Sequence, residues 1–393
     1  MSSRAPAVGL LLALIWATTH GNLYEGHSLG SPCLSGQPCT LAFISDNPVI
    51  LHCPHALYGA LVTWQYLDPA WGDERPVTFL RSRGPFWPLL NHAKLRRLQF
   101  KSRLVAGNLY IPLPSVGDSG LYTCRLGEAT VAYYHVDFQD AGHIHVSHAA
   151  LQEAPLGNST VALEGGEEAR LFTSWSAWQP CDRCGGPGER KRVGFCYAQV
   201  TREGREADEE GLPCGMVRKK HPSLPQRGPD LRVESCQVAC DESYPLAKDD
   251  PNAVPFLVFT TFHPQLKAIA HLRCPTSSIY RPVYWQEGPT TLTRLDLLQK
   301  NSSLSLDKAT GGGILRLSIQ NYSHSAFYQC YVNGHLVGRF LITSPSTLPR
   351  SGELTHTYSV IEALVVGLSI FLVFLMFLSI IQSCRRKPGT TMV

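Results

Sequence analysis

The sequence has almost no excess of charge and lacks the common motifs of metalloprotease and phosphate-binding sites. Its 35 basic and 31 acidic residues leave a net charge of +4 over 393 residues, whereas nucleic-acid binding usually calls for a concentrated basic face. It lacks His-Glu-x-x-His and a phosphate-binding glycine loop. We therefore expect no nucleic-acid partner, no cofactor and no catalytic residue, and we predict that the protein is not an enzyme.

The histidines and cysteines do not follow a metal-binding pattern. The 15 histidines are scattered, and close pairs such as His143 with His145 and His52 with His55 are usually plain surface residues of strands or loops. The motif Cys181-x-x-Cys184 would suit zinc or redox chemistry in a cytosolic protein. Four further cysteines follow it, so disulfides in an oxidising compartment are favoured. We expect no bound metal.

Long apolar runs occur only at the two ends of the chain. Residues 1–21 contain a short apolar stretch after Arg4, which is typical of a signal peptide. Residues 360–381 are predicted to form a transmembrane helix, since Ala363 to Ile381 carries no charge and is long enough to cross about 30 Å of hydrocarbon. Basic residues 385–387 follow and favour the cytoplasmic side. The sequence predicts a single-pass type I protein of the plasma membrane or another secretory-pathway membrane.

The predicted cytoplasmic tail, residues 382–393, contains no tyrosine and so no tyrosine-based signalling motif. Cys384 lies at the membrane edge beside basic residues, and we predict that it is a free thiol or palmitoylated. The terminal residues Thr391 and Val393 supply the hydroxyl and the aliphatic carboxyl end that a PDZ domain accepts. A PDZ protein is therefore a candidate partner.

Twelve of the 13 cysteines lie before residue 360. An even number outside a membrane span predicts six disulfides made in the secretory pathway. Cys33 and Cys39 lie in a segment, residues 22–45, that lacks strand periodicity. For this pair we predict a local disulfide ahead of the first domain.

The stretch from Asp118 to Cys124 resembles the turn into strand F of an immunoglobulin domain. Tyr122, two residues before the cysteine, matches the tyrosine corner of that fold, and Cys53 with Trp64 eleven residues later completes its signature. The resemblance implies a β sandwich with a Cys53–Cys124 disulfide. The separation of 71 residues (124 minus 53) resembles that of a variable-type domain, predicted over residues 46–140.

A weaker copy of this signature follows near the membrane, over residues 254–342. Cys274 is followed eleven residues later by Trp285, and Tyr328 precedes Cys330 by two. The resemblance implies a Cys274–Cys330 disulfide. The separation of 56 residues (330 minus 274) resembles a shorter constant- or intermediate-type sandwich. Residues 343–359 form a predicted Ser/Thr/Pro stalk.

The middle of the chain, residues 171–242, resembles a thrombospondin type 1 repeat. The pattern is Trp175-x-x-Trp178-x-x-Cys181-x-x-Cys184-Gly, with arginines six and eight residues later. In that family, arginine side chains stack between tryptophan rings, and these cation–π contacts stabilise a unit whose hydrophobic core is too small to do so. The resemblance implies the disulfides Cys181–Cys236, Cys184–Cys240 and Cys196–Cys214.

Two departures from the repeat keep an alternative open. The family usually has more residues between its first two cysteines, and a Ser or Thr there, whereas this chain has Asp182-Arg183. This removes the O-fucose site but leaves a C-mannosylation signal on Trp175. The alternative is a cysteine-rich connector whose tryptophans simply pack.

The predicted fold is therefore mainly β: two immunoglobulin-like sandwiches separated by a disulfide-rich, thrombospondin type 1-like segment, plus one transmembrane helix. Residues 141–170 are predicted to be an exposed polar linker. N-glycosylation is predicted at three sequons, Asn158, Asn301 and Asn321. The arrangement, including the tryptophan–cysteine pattern above and Asp137-Phe138-Gln139-Asp140, resembles the membrane proteins called family with sequence similarity 187.

These patterns favour a cell-surface recognition or adhesion protein that binds an unknown extracellular protein ligand through its first domain. Phe86 and Trp87, next to two prolines, are the predicted ligand contacts, with Arg81 and Arg83 as polar anchors. The other two domains are expected to stack beneath as spacers. The alternative is a non-signalling co-receptor, or a matrix- or glycosaminoglycan-binding protein, that acts through basic clusters of the middle segment, residues 190–192 and 218–221.

Overall fold

The computed structural model shows two β sandwiches with a disulfide-rich β segment between them. It describes residues 39–56, 59–71, 75–83, 92–201, 211–240, 258–262, 269–300, 303–318, 326–343 and 364–379. The predicted signal peptide, most of the stalk and the cytoplasmic tail lie outside these residues, as do Cys33, Asn301, Asn321, Cys384, Thr391 and Val393.

The first sandwich pairs a five-stranded sheet of order β1-β8-β7-β3-β4 with a three-stranded sheet of order β2-β6-β5. β1 runs parallel to β8, while the other neighbouring strands are antiparallel. A helix, α1, lies between β4 and β5. The elements are β1 (Cys39–Ile44), β2 (Val49–Leu51), β3 (Val62–Leu67), β4 (Val77–Arg81), α1 (Ala93–Lys101), β5 (Arg103–Val105), β6 (Asn108–Ile111), β7 (Gly120–Leu126) and β8 (Ala129–Gln139).

The immunoglobulin signature lies in the core of this sandwich. A disulfide joins Cys53, just after β2, to Cys124 on β7, with 5.7 Å between the Cα atoms, and so connects the two sheets. Trp64 is completely buried beside it. The Tyr122 hydroxyl donates a hydrogen bond of 2.6 Å to the carbonyl of Asp118. This bond is the tyrosine corner that the sequence predicts.

The second sandwich repeats the strand order of the first, as β15-β22-β21-β17-β18 over β16-β20-β19. Its shorter cysteine separation does not remove the fifth strand of the larger sheet, because β18 pairs with β17 where β4 pairs with β3. Its elements are β15 (Val258–Phe262), β16 (Ile269–Arg273), β17 (Val283–Glu287), β18 (Thr290–Leu292), α3 (Arg294–Gln299), β19 (Leu304–Leu306), β20 (Ile314–Ser318), β21 (Ala326–Val332) and β22 (His335–Ile342).

The middle segment is built on one sheet of order β10-β11-β12-β14-β9, with β13 beside β12. Residues 141–170, predicted to be an exposed linker, instead supply β9, β10 and the start of β11. The prediction failed because β9 is polar in sequence, yet it pairs in parallel with β14 and buries Ser147 and His148. The elements are β9 (His145–His148), β10 (Ser159–Ala162), β11 (Glu168–Trp175), β12 (Pro187–Thr201), β13 (Leu212–Pro213), α2 (Cys214–Lys220) and β14 (Asp230–Gln237).

The first sandwich begins at Cys39, inside the segment that was expected to precede it. β1 shows no alternation because Ala42, Phe43 and Ile44 are all buried. One face of the strand packs on its own sandwich, and the backbone N–H of Ile44 donates a 2.7 Å hydrogen bond to the hydroxyl of Tyr280 in the second sandwich. A strand covered on both faces carries no period-two signal.

The three units pack together and are not stacked as separate spacers. The core of the first sandwich is continuous with Val193 and Phe195 of the middle segment and with Ile279 and Tyr280 of the second sandwich. Polar contacts close the same junction. The side chain of Asn47 accepts a hydrogen bond from the N–H of Ile279 at 2.8 Å and donates one to the carbonyl of Ala309 at 2.9 Å.

Tyr280→Phe is expected to lower the free energy of unfolding by about 1–2 kcal/mol, because it removes the buried acceptor of the Ile44 N–H. Tyr331→Phe is the matched control, since its hydroxyl donates a longer bond, of 3.3 Å, to the side chain of Gln329 on the same strand. Thermal or denaturant unfolding of the extracellular part measures both. Equal stability of the two variants would contradict the role given to Tyr280.

Residues 364–379 form a helix, α4, whose side chains are all exposed. Within the described part of the chain, no helix reaches the length and apolar character needed to cross a membrane.

Candidate recognition surface

In the middle segment, arginine side chains lie over tryptophan rings in a series of cation–π contacts, which we call the ladder. Trp175 ends β11, and the guanidinium carbon of Arg192 lies 4.6 Å from its ring centre and 4.7 Å from that of Trp178. Arg190 lies 5.1 Å from the ring centre of Trp178 and forms an ion pair with Glu234. The first basic cluster therefore serves packing within the segment.

Three disulfides close this small unit. They join the same cysteines that the resemblance implied, and each has a Cα–Cα distance between 5.0 and 6.0 Å. Cys39 is also in a disulfide. The pairs are Cys181–Cys236, Cys184–Cys240 and Cys196–Cys214, besides Cys274–Cys330 in the second sandwich.

Lys191 points away from the ladder, into the junction with the second sandwich. It is buried, and its ammonium donates a 2.7 Å hydrogen bond to the carbonyl of Gly311. Burial lowers the pKa of Lys191 to about 7, and burial raises the pKa of the nearby Asp182 carboxyl to about 7. Because side chains alternate along β12, Arg190 and Arg192 contact the tryptophans, whereas Lys191 contacts the second sandwich.

Glu189, two residues earlier on β12, holds the start of α3. Its carboxylate accepts hydrogen bonds of 3.0 Å from the backbone N–H groups of Arg294 and Leu295, and it lies 3.3 Å from the ring nitrogen of the buried His148. Burial acts to raise the pKa of Glu189, but the hydrogen bonds from His148 and the two amides outweigh it and leave that pKa below its usual value. This contact ties the middle segment to the second sandwich.

The second basic cluster also has internal partners. Arg218 donates hydrogen bonds to the carbonyls of Leu224 and Pro225, at 3.3 and 2.9 Å. Two further residues of the cluster approach acids: Lys219 lies 4.0 Å from Asp68 of the first sandwich, and His221 lies 3.7 Å from Glu167. Only Lys220 of this cluster is without a contact of this kind among the described residues.

Helix α2 lies against β8 and covers part of the first sandwich. The N–H of Gly215 donates a 3.1 Å hydrogen bond to the carboxylate of Asp137, and a side chain at this position would collide with that carboxylate. A cavity of about 240 Å³ remains along the seam. Its lining includes Val116, Asp137, Phe138, Gly215, Arg218 and Arg227. This face of the larger sheet is thus not fully open to a ligand.

Two of the four predicted ligand contacts, Arg81 and Arg83, lie at the opposite edge of that sheet. Arg81 and Arg83, at the end of β4, are exposed, whereas Phe86 and Trp87 lie outside the described residues. Phe79 is fully buried in the core. Trp71 is half-buried and stacks on the ring of His92, with 4.1 Å between ring centres.

Sequence reasoning missed helix α1, which follows this edge. Leu95 and Leu98, three residues apart, are buried against the sandwich, and their spacing is the signal that indicates a helix. Lys94 and Lys101 form ion pairs with Asp68 and Asp118 and fasten the two ends.

The outward side of α1 is formed by Arg96, Arg97 and Phe100, which we call the α1 face. All three are exposed, and Phe100 at 79 % is the most exposed large apolar side chain of the described residues, including those of α4. Phe100 is four residues after Arg96 and three after Arg97, so it neighbours both arginines on one side of the helix. An exposed aromatic residue beside two arginines is the composition enriched at protein interfaces.

The remaining predicted sites have simple settings. Asn158 is exposed and immediately precedes β10, the edge strand of the middle sheet. Trp175 is half-buried in the ladder. No group of three or more His, Cys, Asp or Glu side chains that would suit a metal ion occurs among the residues described.

Two sandwiches, each with a parallel first and last strand in its larger sheet, an inter-sheet disulfide and a buried tryptophan, make this chain an immunoglobulin-like domain protein. It is similar to proteins of the family with sequence similarity 187. The "Ig-like V-type domain-containing protein FAM187A" of Mus musculus is 24 % identical over an alignment of 386 residues, which covers 89 % of this chain and 90 % of that protein. The Bos taurus protein of the same name is 24 % identical over 290 residues, covering 68 % of this chain and 67 % of that one.

No family model matches the sequence. Among solved structures, the first Ig domain of the mouse polymeric immunoglobulin receptor is 13 % identical, with a TM-score of 0.20, and covers 28 % of this chain and 96 % of its own. The ZIG-8 IG1 homodimer is 14 % identical, with a TM-score of 0.19, and covers 32 % of this chain and 98 % of its own.

Proposed function

We propose that the protein is a cell-surface recognition or adhesion protein that binds an extracellular protein ligand through its first sandwich. The observation that carries this proposal is the outward side of α1, beside the end of β4, where Arg96, Arg97 and Phe100 are exposed. The basic clusters of the middle segment, by contrast, are largely occupied by internal contacts. This difference favours the first sandwich over the middle segment as the binding unit.

The proposed setting is a type I membrane protein with a signal peptide at residues 1–21, a membrane span at residues 360–381 and a short tail without tyrosine. The two apolar runs and the disulfides support this setting. Within it, a PDZ protein is the proposed tail partner, and Asn158, Asn301 and Asn321 are proposed to carry glycans. His-Glu-x-x-His and a phosphate-binding glycine loop are missing from the sequence, so we propose no catalytic activity.

We also propose that the middle segment is a divergent thrombospondin type 1 repeat. Its three disulfides and the arginine–tryptophan ladder support this assignment, since both follow the pattern that the resemblance implies. The flanking strands β9 and β10 add to the sheet on either side. C-mannosylation is proposed on Trp175.

The double substitution Phe86→Ser/Trp87→Ser is expected to abolish binding of the soluble extracellular part to ligand-bearing cells, with its melting temperature nearly unchanged. Flow cytometry with the clustered protein measures the binding. Lys220→Glu in the middle segment is the control and should bind like the wild type. Binding that survives in the double variant, or that depends only on the middle segment, would instead favour the co-receptor function.

A further inference from the structure

We infer that the α1 face binds an acidic protein segment that presents an apolar side chain. The inference rests on the proposed function and adds the chemistry of the partner. It assigns Arg96 and Arg97 to carboxylates of the partner and Phe100 to its apolar group.

The charge of α1 supports an acidic partner. The helix has the sequence AKLRRLQFK, with four basic residues and no acid. The two acids at its ends, Asp68 and Asp118, are already engaged by Lys94 and Lys101. Arg96 and Arg97 have no side-chain partner among the described residues, so their ten N–H donors are open to carboxylates.

Phe100 favours a protein partner over a partner that offers only negative charge. Phe100 is 79 % exposed, so its side chain contributes little to the stability of the fold. Leu95 and Leu98 already fill the inner side of the helix. A sulfated polysaccharide would satisfy the arginines but would offer no apolar group to the ring. A lipid surface would require a broader apolar face than one aromatic residue on a nine-residue helix. An acidic protein segment with one apolar side chain matches all three residues.

The test uses the full-length chain, extracted in detergent and immobilised, with a phage-displayed library of random 12-residue peptides as the probe. Peptides enriched on the wild type should combine Asp or Glu with a large apolar residue. Phe100→Ser and Arg96→Glu/Arg97→Glu should each weaken their binding at least tenfold. Matched controls should not: Phe259→Ser removes another exposed phenylalanine, and Arg170→Glu/Arg273→Glu reverses two exposed arginines of the other units.

Enriched peptides that bind the α1 variants as well as the wild type would overturn the inference. So would binding to immobilised heparin or to phosphatidylserine vesicles that requires the arginines but not Phe100, if no peptide depends on the face. Melting curves of Phe100→Ser verify folding, since an exposed side chain contributes little to stability.

The cell-binding assay distinguishes this inference from the proposed function. If Phe86→Ser/Trp87→Ser abolishes cell binding and the enriched peptides bind the α1 variants as well as the wild type, the inference fails alone. If peptides depend on the α1 face while cell binding depends only on the middle segment, the proposed function fails alone.

Discussion

Cys53→Ala is expected to prevent display of the protein at the cell surface and to lower its free energy of unfolding by about 4 kcal/mol. The Cys53–Cys124 disulfide closes a loop of 71 residues, and the chain-entropy relation gives this magnitude for such a loop. Both cysteines are buried beside Trp64. Their loss would therefore also disturb the packing between the two sheets.

Surface staining of cells that express the tagged full-length variant measures this effect. Cys196→Ala is the graded comparison, because its disulfide spans only 18 residues and should contribute about 3 kcal/mol by the same relation. Cys384→Ser, outside the predicted disulfides, should leave display unchanged. Normal display of Cys53→Ala would count against a structural role for the inter-sheet bond.

Glu189→Ala is expected to destabilise the protein by about 3 kcal/mol. It leaves the N–H groups of Arg294 and Leu295 without their acceptor in a buried junction, and each unsatisfied group costs about 1–3 kcal/mol. Glu234→Ala is the matched control on the neighbouring strand. It breaks only the partly exposed ion pair with Arg190, whose contribution should be below about 1 kcal/mol.

Glu189→Gln removes the charge of this residue but keeps the size of its side chain, so it measures the contribution of the charge to stability. Because the pKa of Glu189 is lowered in the folded protein, its carboxylate stabilises the fold above the ordinary value of 4.5, and this contribution is lost as the pH falls through the folded pKa. The stability difference between the wild type and Glu189→Gln should therefore be constant near neutral pH and shrink below about pH 4.5. Denaturant unfolding across this range measures it, and a difference independent of pH would contradict the assignment.

The parts of the fold that the sequence predicted are those with a local spacing rule. Cys53, Trp64, Tyr122 and Cys124 follow one such rule, and the structure places all four in one core. The ladder followed another, because Trp175 and Arg192 come from adjacent strands of the same small unit. In both cases the motif specifies residues that touch.

The parts that were missed depend on contacts between distant segments. β1 lost its alternation because Ala42, Phe43 and Ile44, which point to both of its faces, are all buried, and β9 is polar yet buried through pairing with β14. The candidate site was predicted in part: Arg81 and Arg83 are exposed as expected. The α1 face was missed because Phe100 resembles a core residue until Leu95 and Leu98 are known to fill the inner side.

The contact between Ile44 and Tyr280 also sets an order of events during synthesis. The two residues are 236 positions apart, so at 5–20 residues per second the ribosome needs about 10–50 s to supply the second after the first. During that interval the Ile44 N–H at the edge of β1 lacks its buried acceptor, although the rest of its sandwich has already been made. The nascent first sandwich should therefore be a chaperone client until the last third of the chain arrives.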